Sequence, residues 1–223
     1  MIVWLIVPVV LCLIIAGIVW TAILARKRRE AFQQVASSLG MMFYADKDYS
    51  YDERYPFVNK LCQGSNRYAY NIIQGEYQGF PVQVFDYHYE TYSTDSKGRR
   101  QTHHHYFSFF ILKFGRNFPE LIISREGWLS KVAQWFGYGD IDFESAEFSR
   151  KFMVQSPDKK FAYDICHARM IEYMLHNDDL SIEIERDCLT LFFGGVLSPE
   201  QIVPNLERLV EVRELFPNYL MDS

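Results

Sequence analysis

Residues 2–25 contain no charged side chain, and that run constrains the chain more than anything after it. Leu, Ile, Val, Ala and Trp fill it, interrupted only by Pro8, Cys12, Gly17 and Thr21. As a helix rising about 1.5 Å per residue it can cross a hydrocarbon core of about 30 Å with some tilt. Pro8 falls in the early turns, where a lost backbone hydrogen bond costs least, and Trp4 and Trp20 suit the two headgroup interfaces. A cleaved secretory signal would need a basic start, a shorter apolar core and small residues at its end. Nothing basic precedes this run, and Leu24 breaks any small-x-small ending. Val9-Val10-Leu11 before Cys12 are equally wrong for a lipidation site, which takes small residues there. The run is expected to be a membrane span.

Arg26, Lys27, Arg28 and Arg29 follow directly. Basic residues beside a span stay in the cytoplasm, which predicts the N-terminus outside and the long C-terminal part inside. The same four residues are expected to meet anionic headgroups, so the lipid bilayer is the first predicted partner. All 28 acidic residues lie at or after Glu30, with nineteen of the 23 basic ones, so this part carries a net charge of −9. Such a balance argues against nucleic acid as a partner.

The chain therefore divides into a transmembrane helix (1–25), a juxtamembrane helix (26–40) and a cytoplasmic domain (41–223). The domain is long enough to bury a proper core. The chain's 15 Tyr and 18 Phe point to packed sheet. Cys12, Cys62, Cys166 and Cys188 show no CxxC or paired spacing, which suits buried thiols in a reducing compartment.

Ala31, Phe32, Val35, Ala36 and Leu39 recur at helical spacing up to Gly40, so the membrane helix is expected to run on into the domain. Residues 41–44 form a short strand, and 51–62 a short helix with a loop. Over 67–90 a hairpin is predicted about Gln78-Gly79, with Tyr77 opposite Phe80. Counted back from that turn, one face pairs Ile72 with Phe85, Tyr70 with Tyr87 and Tyr68 with Tyr89. The other pairs Ile73 with Val84, Asn71 with Asp86, Ala69 with His88 and Arg67 with Glu90. A second hairpin sets 82–92 against 101–114 across a polar, mobile 93–100 connection. Further along we expect a strand at 121–124, an amphipathic helix at 127–136 and a strand at 148–155. A helix then runs from a Ser156-Pro157-Asp158 cap to about His176, followed by a closing hairpin of 180–186 with 188–193. A last helix is capped by Ser198-Pro199-Glu200-Gln201. Meandering strands with helices between and after them make an α+β domain with a mainly antiparallel sheet and flanking helices.

Two places invite chemistry. If the second hairpin keeps its aromatic residues together, His88, Glu90, His103 and His105 share a face, and three imidazoles with a carboxylate can bind zinc or a similar ion. The commoner outcome for histidines at a polar strand end is an ordinary surface, and no metal or cofactor is expected there. Asp86 is a mid-strand carboxylate that burial could turn into a general acid or base. The competing role is structural, hydrogen-bonded to Asn71. Cys166 and His167 are neighbours on a predicted helix, where side chains diverge by about 100° and cannot form a dyad. Gly137-x-Gly139 lacks a third glycine, and no GK[ST], GxSxG or HExxH occurs. Asp140, Asp142, Glu144 and Glu147 lack the order of a calcium loop and suit a solvated segment.

The stretch Phe143-Glu144-Ser145-Ala146-Glu147-Phe148-Ser149-Arg150-Lys151-Phe152-Met153-Val154, followed by Ser156-x-Asp158, resembles a motif of uncharacterised bacterial membrane-anchored proteins. These place one or two membrane helices before a soluble domain, and Val84-Phe85-Asp86-Tyr87 is similar to their mid-domain strand. The resemblance implies a bacterial inner-membrane protein. That family has no established activity, so no site residue carries over. The expected function is a membrane-tethered cytoplasmic module that binds or scaffolds another protein. The alternative is a hydrolase-like or metal-dependent enzyme, or a small-molecule sensor, using Asp86 or the His88/His103/His105 face.

Overall fold

The structure is a computed structural model that describes residues 2–125 and 140–222. Its first element is one uninterrupted helix, α1 (Ile2–Ser38). At about 1.5 Å per residue it is about 55 Å long, enough to cross a membrane and still reach the domain. A core helix of a soluble protein would pass the same test of length and composition. Here residues 10–25 are all exposed, with Leu13 and Ile18 above 60%. A bare apolar cylinder of this size is out of place in water, and a bilayer accounts for it.

Toward its C-terminus α1 changes character. Phe32 and Ala36 are buried, while Gln33, Gln34 and Ser37 face outward. Gly40, at φ +68°, then ends the helix. Its N–H donates to the Ser37 carbonyl, and the Met41 N–H reaches back to Ala36 at 2.8 Å. That double bond pattern satisfies two terminal carbonyls and turns the chain sharply into the sheet.

The sheet has six strands, all paired antiparallel: β1 (Met42–Tyr44), β2 (Ser65–Tyr77), β3 (Phe80–Thr94), β4 (Arg100–Arg125), β5 (Phe152–Gln155) and β6 (Ser181–Phe192). The order is β1-β2-β3-β4-β5, with β6 also on β4, so the long β4 is the spine. The helices are α2 (Tyr51–Arg54), α3 (Ala146–Lys151), α4 (Lys159–Ile165), α5 (Ala168–His176), α6 (Ile202–Glu214) and α7 (Asn218–Asp222). Val82, Val84, Phe110 and Leu112 on one face join the larger core with Phe32 of α1 and Leu206 and Leu209 of α6. On the other face Phe85, Tyr87, Phe109 and Ile111 pack under Tyr51, Tyr55 and Leu61. This is the expected α+β architecture.

Several local expectations change. The β2–β3 register holds from Tyr77↔Phe80 to Ile73↔Val84, then slips by one to Tyr70↔Asp86, Ala69↔Tyr87 and Tyr68↔His88. The cause is a bulge at Asn71, whose φ of +50° only short polar residues and glycine adopt readily. Ile72 and Phe85 still pack in one cluster. Residues 146–151 are helix, since Ser145 caps the Phe148 N–H, and strand begins only at Phe152. Asp158, not Ser156, caps the next helix, which breaks at Cys166 before His167 caps α5. The closing hairpin is instead a single strand, β6, in which Arg186 takes a positive φ and β4 is the partner throughout. The 93–100 connection shortens, because the strands extend to Thr94 and Arg100. Asp95 organises its tip by accepting from the Lys97 and Arg99 N–H groups. The helix expected at 127–136 lies outside the described residues.

Candidate functional site

The bulge at Asn71 has a direct consequence for Asp86. It turns the Asn71 amide onto the carboxylate, donating to Oδ2 at 3.0 Å. Ser108, directly opposite Asp86 on β4, donates to Oδ1 at 2.9 Å. Arg28 completes the set from α1: Nε donates to Oδ2 and Nη2 to Oδ1, both at 2.9 Å. Asp86 is fully buried, and each of its oxygens accepts two hydrogen bonds. A carboxylate offers about four acceptor positions, and all are taken. Nothing remains with which Asp86 could accept a substrate proton, so the structural role prevails over the general-base role.

The network extends further. The Ser108 hydroxyl accepts from the Leu197 N–H at 2.9 Å, and the Ser108 N–H donates to the Gly195 carbonyl at 3.2 Å. Helix α1, β2, β3, β4 and the segment leading into α6 therefore meet at one buried carboxylate. The guanidinium of Arg28 also lies over the Phe32 ring, at 4.7 Å. Arg28 was expected to face lipid headgroups with Arg26, Lys27 and Arg29. It turns inward instead, because the bidentate fork matches a buried carboxylate that needs a counter-charge. Arg26 bonds to Glu30 one turn along the helix.

The histidines are redistributed by the β3–β4 register, in which Glu90 faces His104, Tyr89 faces His105 and Thr91 faces His103. Residues directly opposite share a face, so His88, Glu90 and His104 come together. His103 and His105 lie on the other face, bonded to Ser93 and Thr91. The expected His88/His103/His105 constellation is therefore not formed. A change of one residue in register moves every side chain across the sheet, and only the completed hairpin decides it.

In the observed cluster the ligand atoms of His88, Glu90 and His104 all lie within 4.8 Å of one another. His88 Nε2 faces His104 Nδ1 at 3.1 Å, and that nitrogen is 3.5 Å from Glu90 Oε1. His88 is buried between Tyr68 and Tyr106, with centroids 4.6 and 4.8 Å away. That burial pushes its basicity below the ordinary histidine value. Glu90 accepts from Asn66 Nδ2 and the Tyr92 hydroxyl, which hold its carboxyl below the usual range. His104 is half exposed.

Cys166 and His167 do not form a dyad. His167 Nδ1 caps the Met170 N–H and its Nε2 meets the Leu215 carbonyl at 2.8 Å, while burial pushes the Cys166 thiol up. Asp140, Asp142, Glu144 and Glu147 are all exposed, as expected of a solvated segment. The four cysteines are free.

No protein-family model matches the chain, and no curated protein matches it either. Among solved structures, the chain is similar in fold to the crystal structure of the mycobacterial trehalose monomycolate transport factor A, TtfA. The two are 12% identical with a TM-score of 0.56, and the match covers 86% of this chain and 96% of that one. At that identity the likeness speaks for the fold: an antiparallel α+β domain of this topology occurs in a mycobacterial transport factor.

Proposed function

We propose that this protein is a membrane-mounted, non-enzymatic module that holds its α+β domain at the cytoplasmic face of a bacterial inner membrane and engages another protein there. The observation that carries the reading is the Arg28–Asp86 junction. A tether that only raised local concentration could be any flexible leash. This helix enters the domain unbroken, packs Phe32 and Ala36 into the core, and is bonded through Arg28 to the centre of the sheet. The domain is thereby presented at a set distance and orientation from the span. Arg26, Lys27 and Arg29 remain outward for anionic headgroups. The net −9 of the chain from Glu30 onward keeps the rest of the domain off an anionic surface. Saturation of Asp86 removes the most conspicuous catalytic candidate, and the likeness in fold to a transport factor fits a non-enzymatic module. The resemblance of the 143–158 stretch to bacterial membrane-anchored proteins supports the same setting.

The test is site-specific photo-crosslinking in native membranes. A photoreactive residue is placed at exposed positions of the full chain, including Lys97 at the tip of the long hairpin. Discrete protein adducts are expected in the wild-type background and are expected to be lost when Arg28→Ala loosens the mount in a chain that is still folded and inserted. Lipid-only adducts from every position would overturn the partner reading. Adducts indifferent to Arg28→Ala would overturn the role of the mount.

A further inference from the structure

We propose that His88, Glu90 and His104 form a binding site for one divalent cation of the zinc type, with a coordination position open to solvent. The argument begins with a second irregularity in β2. Between Ser65 and Tyr68 the register to β3 shifts, and Asn66 takes a φ of +49°. Asn66 then reaches both β3 residues of the cluster. Its carbonyl meets His88 Nδ1 at 3.1 Å, and its amide donates to Glu90 Oε1 at 2.7 Å. The first contact makes Nδ1 of His88 the protonated nitrogen and leaves the lone pair of Nε2 pointing at His104 and Glu90. Imidazole ligands of metals are held in this way, with the second nitrogen donating to a carbonyl or carboxylate that fixes the tautomer and raises the basicity of the first. Tyr92, donating to Glu90 Oε2, orients the carboxylate in the same sense.

The spacing agrees with the chemistry. Two nitrogens on one tetrahedral zinc, at about 2.0–2.1 Å each, stand about 3.3–3.4 Å apart. His88 Nε2 and His104 Nδ1 are 3.1 Å apart, and Glu90 Oε1 is 3.5 Å from the latter. A proton on His104 Nδ1 can bridge the same gap, and an incoming cation displaces it. Two histidines and a carboxylate favour zinc or a neighbouring borderline ion over magnesium or calcium, which prefer all-oxygen sets. Three protein ligands leave the fourth position for water, and half-exposed His104 gives the ion a path in. The ligands sit on paired strands, with His88 clamped between two tyrosines, so little order remains to be imposed on binding. Lys47, over the Tyr68 ring at 3.9 Å, opposes the cation, and the Glu90 carboxylate offsets it. The expectation of no metal came from a register that the sequence leaves open and from the polar connection beside the histidines; the β3–β4 pairing fixes that register and brings together His88, Glu90 and His104 in place of His88, His103 and His105.

The full chain, purified in detergent without a histidine tag and stripped with chelator, is titrated with zinc by calorimetry at pH 7.5 and with cobalt by visible absorption. One equivalent is expected to bind saturably, with release of protons. His104→Gln, which alters a half-exposed side chain and is checked for fold by circular dichroism, is expected to weaken binding by at least roughly tenfold. Tyr92→Phe, which removes only an orienting bond, is expected to cost roughly tenfold as well. His103→Gln and His105→Gln are expected to bind as wild type. The proposal fails if the wild type takes up no saturable equivalent. It fails equally if His104→Gln binds as tightly as wild type, or if His103→Gln or His105→Gln weakens binding as much as His104→Gln does.

Discussion

Replacing Arg28 by alanine strips both guanidinium bonds from Asp86 and leaves a fully buried carboxylate with only Asn71 and Ser108 as donors. Removing one member of a buried ion pair costs about 3–5 kcal/mol, most of it the penalty of the charge left behind. The Arg28 side chain keeps 22% of its surface in solvent, whereas Asp86 keeps none. Some water can therefore follow the arginine out, which places the expected loss near the lower bound, about 3 kcal/mol. For a domain of this size each kcal/mol moves the midpoint by about 2–4 °C, so Tm should fall by about 6–12 °C. Thermal unfolding of the full chain in detergent, followed by circular dichroism, reads this out. Arg28→Ala, Asp86→Ala and the double variant complete a cycle whose coupling should be about 2 kcal/mol or more, because each single change strands the other partner. Arg28→Met with Asp86→Leu should recover much of the loss, since apolar groups leave no charge to solvate. A fall below about 2 °C for Arg28→Ala, or a coupling under about 0.5 kcal/mol, would refute the claim that this pair fixes the helix to the sheet.

Other consequences are as direct. Gly64 has φ +64°, and a Cβ there would lie 2.2 Å from the Glu90 carbonyl oxygen, whereas Gly79 at φ +84° faces open space. Gly79→Ala should cost about 1 kcal/mol of backbone strain, and Gly64→Ala clearly more, measured by denaturant unfolding. Burial, with Glu120 nearby, raises the Glu185 carboxyl to about 7. The folded state therefore holds a proton that the unfolded chain has lost between about pH 4.5 and 7, so this group stabilises at low pH and its contribution is lost as pH rises through 7. Glu185→Gln should accordingly raise Tm at pH 8 and leave it nearly unchanged at pH 5; a larger gain at pH 5 would contradict the assignment. For the proposed orientation, a C-terminal alkaline phosphatase fusion should be inactive in the periplasmic assay while a cytoplasmic reporter at the same place is active.

Much of this architecture can be read from local pattern. The uncharged run at 2–25 and the helical spacing of Phe32 and Ala36 against Gly40 foretell one helix with a bare end and a packed end. Gln78-Gly79 marks the first hairpin, and the pairing next to it follows, because near a tight turn register is a matter of counting. Strand alternation likewise places Asp86 and His88 on the same side of β3. The counting fails at Asn71 and again at Asn66, where positive-φ residues insert bulges that composition does not announce. In 148–155 the alternation is genuine, but the Ser145 cap claims the first residues for a helix.

Which partners these residues have is a tertiary outcome. Arg28 lies 58 residues from Asp86 in a cluster that reads as lipid-facing, and nothing local says that one of its four cations will turn inward. The selection is made by a buried carboxylate, which cannot be left uncompensated and is reached only when the helix packs along the sheet. His104 rather than His103 or His105 joins His88 and Glu90 because the β3–β4 ladder settles in one register of two that differ by a single residue. The sequence supplied the imidazoles and the carboxylate; the pairing of two strands, driven by the aromatic residues packed on both faces below them, chose which of them meet.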